Sequence, residues 1–212
     1  MAKYFNFFPK VPYFLNKEKL SIDLVTNIMS RFKFENKFKE NTVVYYDYII
    51  SDGETPEMIA DKFYGSSERH WIILNLNDII NPYLDWPMSE NSLIKFIDKK
   101  YESFADTANN ETGFEWSQSN VKQYYTRERR SVLPENKSYD TITLLTPEAY
   151  ANTLVTSDNY TLNDGTEIVI DVSKETKTFY EYELDENDSK RRIKLLKKEF
   201  IFAVEDEFKK II

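Results

Sequence analysis

The chain has 212 residues, a net charge of −8 and a pI near 4.9, with 41% hydrophobic and 30% charged residues, a composition that excludes wholesale disorder. The acidic balance speaks against a general nucleic-acid or anionic-membrane binder. The absence of cysteine and the single histidine, His70, exclude a disulfide scaffold, a thiolate site, a cysteine nucleophile and a multi-histidine metal centre.

Residues 1–41 read as an N-terminal arm. Tyr4, Phe5, Phe7, Phe8, Val11, Tyr13 and Phe14 are apolar, while Pro9 and Pro12 forbid a regular helix. An aromatic segment of this kind is extended and needs a surface, either the protein's own core or a partner. The arm also lacks the unbroken apolar run of about 7–15 residues that a signal peptide needs, so synthesis and assembly in a cytoplasm are expected. A short helix is expected from Ser21 to about Phe32, with Leu24, Val25, Ile28, Met29 and Phe32 on one stripe.

Residues 42–102 carry the clearest signals. Val43 to Ile50 is β-branched and aromatic, hence a strand. Asp52-Gly53 is a turn pair, and Thr55-Pro56-Glu57 opens a helix: threonine caps, proline sits where its missing N–H costs nothing, and glutamate meets the positive dipole end. Gly65 closes that helix. A second helix follows Ser66 or Ser67 and ends at Asn77-Asp78, and a third starts at Ser89 or Ser92. Residues 103–120, rich in Asn, Ser and Thr, read as a loop or linker. Residues 121–212 read as a small β-rich α+β region, with strand-like runs at 121–127, 141–145, 166–172, 177–184 and from Arg192, a helix opened by Thr146-Pro147-Glu148, a turn at Asn163-Asp164-Gly165, and a final amphipathic helix carrying Phe200, Val204, Phe208 and Ile211. The acidic cluster Glu181, Glu183, Asp185, Glu186 and Asp188 is expected in a solvated hairpin turn.

Charge is distributed unevenly. Residues 1–50 hold 8 basic and 5 acidic residues, residues 51–120 hold 5 and 13, and residues 121–212 hold 15 and 18. A basic arm thus precedes an acidic middle.

Catalytic chemistry finds little support. Nucleophilic catalysis needs a nucleophile, a base and an orienting group; His70 lies between Arg69 and Trp71 on a helix, and there is no Gly-x-Ser-x-Gly elbow. Glycines only at 53, 65, 113 and 165 make no phosphate-binding loop. Paired carboxylates for glycoside hydrolysis cannot be singled out among 36 acids. No catalytic, cofactor-binding or metal residue is therefore assigned, and no cofactor is expected.

The order of strand, Asp52-Gly53-Glu54-Thr55, Ile59-Ala60, Tyr64-Gly65, second helix and Leu76-Asn77 resembles the LysM module. Where LysM usually has Pro-Gly-x-x-Leu before its second strand, this chain has Asn81-Pro82-Tyr83-Leu84-Asp85-Trp86-Pro87-Met88 and then a helix. A longer resemblance covers most of the chain. Tyr4 to Phe8, Tyr45-Tyr46, Tyr64-Gly65, His70-Trp71-Ile72-Ile73-Leu74, Asn77-Asp78, Asn81-Pro82 with Trp86, and Arg192-Ile193-Lys194-Leu195-Leu196 are similar to the baseplate wedge protein family made by gene 53 of T-even-like contractile-tailed phages. The resemblance implies an α+β fold: a central LysM-like βαα domain, an extended aromatic arm and a C-terminal β-rich region ending in a helix. It implies a non-enzymatic structural subunit of the virion tail baseplate, assembled in the host cytoplasm and present in multiple copies in a ring. Its partners would be other wedge proteins, hub-proximal proteins and neighbouring wedges, with no nucleic acid or membrane. The residues expected at interfaces are Tyr4, Phe5, Phe7, Phe8, Asn77, Asp78, Asn81, Pro82, Tyr83 and Trp86. The alternative is a peptidoglycan- or glycan-binding LysM module, possibly of a wall-degrading enzyme.

Overall fold

A computed structural model describes residues 8–16, 21–29, 33–34, 39, 42–133 and 135–211. The chain divides into two compact units, and the second is an insertion in the first: unit 1 comprises residues 1–90 and 187–212, unit 2 residues 91–186.

Unit 1 is built on a two-stranded antiparallel sheet whose strands come from distant parts of the chain. β3 (Tyr45–Ile49) pairs with β8 (Arg192–Leu196), with Asp47 opposite Lys194. Between β3 and the insertion lie α1 (Pro56–Tyr64), a 3₁₀ turn (Ser67–Arg69), α2 (His70–Leu76) and the short α3 (Pro82–Asp85). The local signals act as expected at α1. Thr55 Oγ1 accepts from Met58 N at 3.3 Å, Pro56 occupies the first turn, and Gly65 takes the left-handed conformation at φ 68°, where its N–H reaches Asp61 O. Ile59, Ala60, Ile72, Ile73, Leu76, Leu195 and Leu196 are buried against one another. The final helix, α8 (Lys198–Ile211), adds Ile201, Val204 and Phe208 at helical spacing, and Trp71 meets Phe208 with ring centres 4.6 Å apart.

β8 and α8 therefore do not belong to a separate C-terminal region starting at 121. Ile193, Leu195 and Leu196 are buried in one cluster with the apolar residues of α1, α2 and α8. The arm also differs from expectation. Residues 21–26 form a strand, not a helix: β2 (Ser21–Thr26) pairs antiparallel with β1 (Lys10–Asn16), Val25 opposite Val11 and Leu24 opposite Pro12. An extended segment held open by two prolines presents a row of backbone groups, and the β-branched Ile22, Val25 and Thr26 suit a strand at least as well as a helix.

Two side chains close the free edge of β8. Asn77, just past α2, donates from Nδ2 to Lys194 O (2.9 Å) and Ile73 O (2.8 Å), while its Oδ1 accepts from Lys194 N (2.7 Å). Tyr64 Oη accepts from Leu196 N at 3.0 Å, and burial pushes that phenol well above its usual range. Backbone groups that a neighbouring strand would otherwise pair are thus satisfied by helix side chains. A second amide clamp holds the ends of the insertion. Asn187 Oδ1 accepts from Met88 N (2.7 Å), and its Nδ2 donates to Met88 O (3.1 Å).

Unit 2 contains the rest of α4 (Glu90–Tyr101), then α5 (Gly113–Ser119), and a four-stranded antiparallel sheet in the order β5 (Lys137–Leu145), β4 (Val121–Leu133), β7 (Glu167–Thr178), β6 (Thr156–Thr161). α6 (Pro147–Asn152) leads from β5 to β6, and Tyr150 packs on Tyr124 of β4 with ring centres 5.0 Å apart. The segment 103–120 is not only a loop. Thr112 and Glu115 form a complete capping box that starts α5, the two bonds being 2.9 and 3.1 Å. A Cβ on Gly113 would lie 2.1 Å from Asp98 O, so α5 approaches α4 as closely as only glycine permits. The run 177–184 is likewise not a strand, and the acidic cluster is not a hairpin turn. β7 stops at Thr178, which with Glu181 forms a second reciprocal cap (2.8 and 3.2 Å), and α7 (Phe179–Ser189) carries the acids. β6, with the polar sequence Thr-Ser-Asp-Asn-Tyr-Thr, has no counterpart among the expected strands.

Replacing Asn77 by alanine leaves both backbone groups of Lys194 unpaired at the edge of β8, and should lower stability by about 1–3 kcal/mol in urea unfolding. Tyr83→Ala, at a side chain 89% exposed, should change it by less than about 0.5 kcal/mol in the same measurement.

Candidate interaction surface

The segment from Asn77 to Met88 is built on strict local constraints. Asp78 follows Asn77 in the left-handed region at φ 55°, reversing the chain after α2. Asn81 caps α3, its Oδ1 accepting from Tyr83 N at 3.1 Å, with Pro82 in the first turn. Asp85 Oδ2 accepts from Ile80 N (3.2 Å) and Asn81 N (2.9 Å), and Lys190 Nζ donates to Leu84 O at 2.8 Å. These bonds hold out a small apolar knob: Ile80, Tyr83 and Leu84 are 73%, 89% and 59% exposed, rimmed by Asp85 and Asn81.

The residues expected at interfaces fall into distinct groups. Asn81, Pro82 and Tyr83 lie together on the knob and are exposed. Asn77 is bound to β8 as described. Asp78 is engaged within the chain, by Lys39 and by Lys33 at 3.8 Å, so it ties the basic arm to the loop; the Lys39 ammonium, supported by Lys33, holds its carboxyl below the usual range. Trp86 is only 8% exposed. Its ring lies in the core and its Nε1 donates to Glu54 O at 2.8 Å, joining this loop to the turn before α1. Phe8 is 4% exposed and packs edge-on to Phe208 at 6.0 Å. Phe8 and Trp86 therefore serve this chain's own core and present no free anchor. Tyr4, Phe5 and Phe7 lie outside the described residues. Ile80 and Leu84 were not singled out from sequence, although each flanks the Asn81-Pro82 punctuation that marks the knob.

Unit 2 contains the most buried acid among the described residues, Glu183 on α7. It accepts from Tyr101 Oη at 2.7 Å and from Lys100 Nζ at 2.8 Å, with Lys122 Nζ at 3.6 Å. Burial by itself would raise its pKa, but the bonds from Lys100 and Tyr101 and the charge of Lys122 outweigh it and hold the carboxyl below the usual range. A general acid would need the opposite shift; the cluster forms an electrostatic clasp between α4, β4 and α7. Around it, Trp116 stacks on Tyr101 (5.6 Å) and Phe104 (5.2 Å) and meets Phe179 at 5.0 Å. Among the described residues no three His, Asp or Glu side chains gather as a metal site, and no helix is long and apolar enough to cross a membrane.

These features define an α+β chain that holds out an exposed apolar knob. A family model described as base plate wedge protein 53 matches residues 3–211, so the chain belongs to that family. Among curated proteins it is similar to baseplate wedge protein gp53 of Enterobacteria phage T4, with 29% identity over 104 residues. That match covers 47% of this chain and 52% of the relative, about half the relative's length.

The Glu183 carboxyl is lower in the folded chain than in the unfolded one, so its stabilising contribution is complete above the ordinary carboxylate range. It is lost as pH falls through the lowered folded value. Glu183→Gln should therefore lower stability near neutral pH and flatten the acid limb of the pH–stability curve, as read by urea unfolding at a series of pH values.

Proposed function

We propose that this chain is a structural subunit of a contractile phage tail baseplate, which joins wedge proteins through its first unit and takes its place in the virion by assembly in the host cytoplasm. Family membership supports the baseplate role. The observation that carries the mode of action is the knob: three large apolar side chains held outward by capping and backbone bonds. Such a group faces solvent in this chain and suits insertion into an apolar pocket of another subunit.

The central module reads as LysM-like. β3, α1 and α2 precede the insertion, and β8 supplies the second strand after it, which accounts for the missing Pro-Gly signal and the helix after Met88. A glycan-binding reading draws on the same arrangement. Trp86, the aromatic of this loop best suited to stack on a sugar, is committed to the core, and this favours protein contacts.

Co-expression with the other wedge proteins of the same genome should give one stoichiometric complex in size-exclusion chromatography. The double variant Tyr83→Ala, Leu84→Ser should bind at least about tenfold more weakly while remaining folded. Co-sedimentation with purified peptidoglycan, together with unimpaired complex formation by the variant, would overturn the proposal.

A further inference from the structure

The turn that follows α2 is a complete Schellman motif. Asp78 N donates to Asn75 O at 3.4 Å, Ile79 N donates to Leu74 O at 2.9 Å, and Ile79 and Leu74 both pack against the core. The left-handed residue of this motif is commonly glycine and less often asparagine. Here it is Asp78, at φ 55°. A carboxylate is locally unfavourable at this position on two counts. A side chain strains the left-handed conformation, and the carbonyl end of a helix carries negative partial charge. The needs of the turn itself do not account for an acid.

The arm does account for it. Lys39 Nζ bonds Asp78 Oδ1, and Lys33 Nζ lies 3.8 Å from the same oxygen. The two partners are unequally placed: the Lys39 side chain is 9% exposed and that of Asp78 56%. An ammonium withdrawn from water and left unpaired is costly, whereas an exposed carboxylate that loses its partner is solvated. Lys39 is therefore held inside by the charge of Asp78. The same arm residue is held from another side. Its carbonyl oxygen accepts from Lys194 Nζ at 3.0 Å, and that ammonium also lies 4.4 Å from the centre of the Tyr45 ring. Lys194 is the residue of β8 whose backbone N–H and C=O are bonded by Asn77. Two adjacent residues thus grip two distant segments, Asn77 the strand β8 and Asp78 the arm. The knob begins at Ile80, two residues further on.

We propose that Lys39 and Asp78 form an electrostatic latch, through which docking of the arm sets the knob. With Lys39 in place, the turn after α2 is fixed from the arm and from β8 together, and the chain from Ile80 to Leu84 leaves it in one direction. With Lys39 released, Asp78 is an unpaired acid in a left-handed position at a helix C-terminus. The bonds that begin the knob, from Ile80 N and Asn81 N to Asp85 Oδ2, then open more often. The consequence for wedge contacts rests on the function proposed above, whereas the latch is a property of the free chain.

Asp78→Asn separates charge from backbone conformation, because asparagine suits the left-handed position and the side chain keeps its shape. In the full chain, trypsin should cleave after Lys39 at least about tenfold faster in this variant than in the wild type, and the amides of Ile80 and Asn81 should exchange at least about tenfold faster. The amide of Leu196, bonded by Tyr64, should exchange at the wild-type rate and report an intact core. Lys39→Met keeps an apolar stem in the buried site without the charge, and should speed exchange at Ile80 and Asn81 in the same way. Cleavage and exchange in Asp78→Asn no faster than in the wild type would overturn the proposal, since only the needs of the turn would then matter. Faster cleavage after Lys39 with unchanged exchange at Ile80 and Asn81 would also overturn it, because the arm would be released without effect on the knob. Both readouts use the chain alone, so they decide the latch even where the wild type fails to enter a wedge complex, a failure that counts against the proposed function instead.

Discussion

The first unit depends on one long-range pairing, that of β3 with β8. Its two strands are separated in sequence by the whole of unit 2, so the sheet cannot form until the insertion has brought its far end back. Closing so long a loop is entropically unfavourable but grows only slowly with length. The structure offsets it with amide clamps at two places. Asn187 bonds both backbone groups of Met88 where the insertion leaves and returns. Asn77 bonds both backbone groups of Lys194 on the outer side of β8. Asn77 takes the place of a neighbouring strand with a single side chain, and with Tyr64 this lets a two-stranded sheet exist without an unsatisfied outer edge on β8.

The core follows from that closure. Leu195 and Leu196 complete a surface that Ile59, Ile72, Ile73 and Leu76 leave open, and the helix that follows β8 brings Phe208 against Trp71 and Phe8. The knob at Ile80 to Leu84 inherits its rigidity from the same source. Its backbone is held between Asn77, which is bound to β8, and Lys190, two residues before that strand.

The second unit is organised on different terms. Its helical end is packed around Trp116 and the Glu183 clasp, while the sheet is exposed on much of both faces and is ordered along one of them by arginine–carboxylate bonds between strands. Bidentate pairs of this kind fix register and orientation more than they add stability. The register of the sheet is specified by these bonds, and its β5 edge strand is exposed.

Much of this was legible in the sequence, and where it was, local chemistry was decisive. Thr55-Pro56-Glu57, Gly65, Asn77-Asp78, Asn81-Pro82 and Thr146-Pro147-Glu148 mark element ends because capping and backbone conformation depend only on near neighbours. The Thr112–Glu115 and Thr178–Glu181 boxes carry the same information, yet they were obscured by surroundings that read as loop and hairpin. Membership of the wedge family was legible too, in motifs spread from Tyr4 to Leu196. Other features were decided only by tertiary structure. Ser21 to Thr26 became a strand because β1 lay beside it, polar β6 became one because β7 offered a ladder, and Trp86 and Phe8 turned inward because the core had room for them. Sequence patterns record what a residue prefers, whereas pairing partners and burial depend on segments distant in the chain, and here the segment that completes the sheet arrives last.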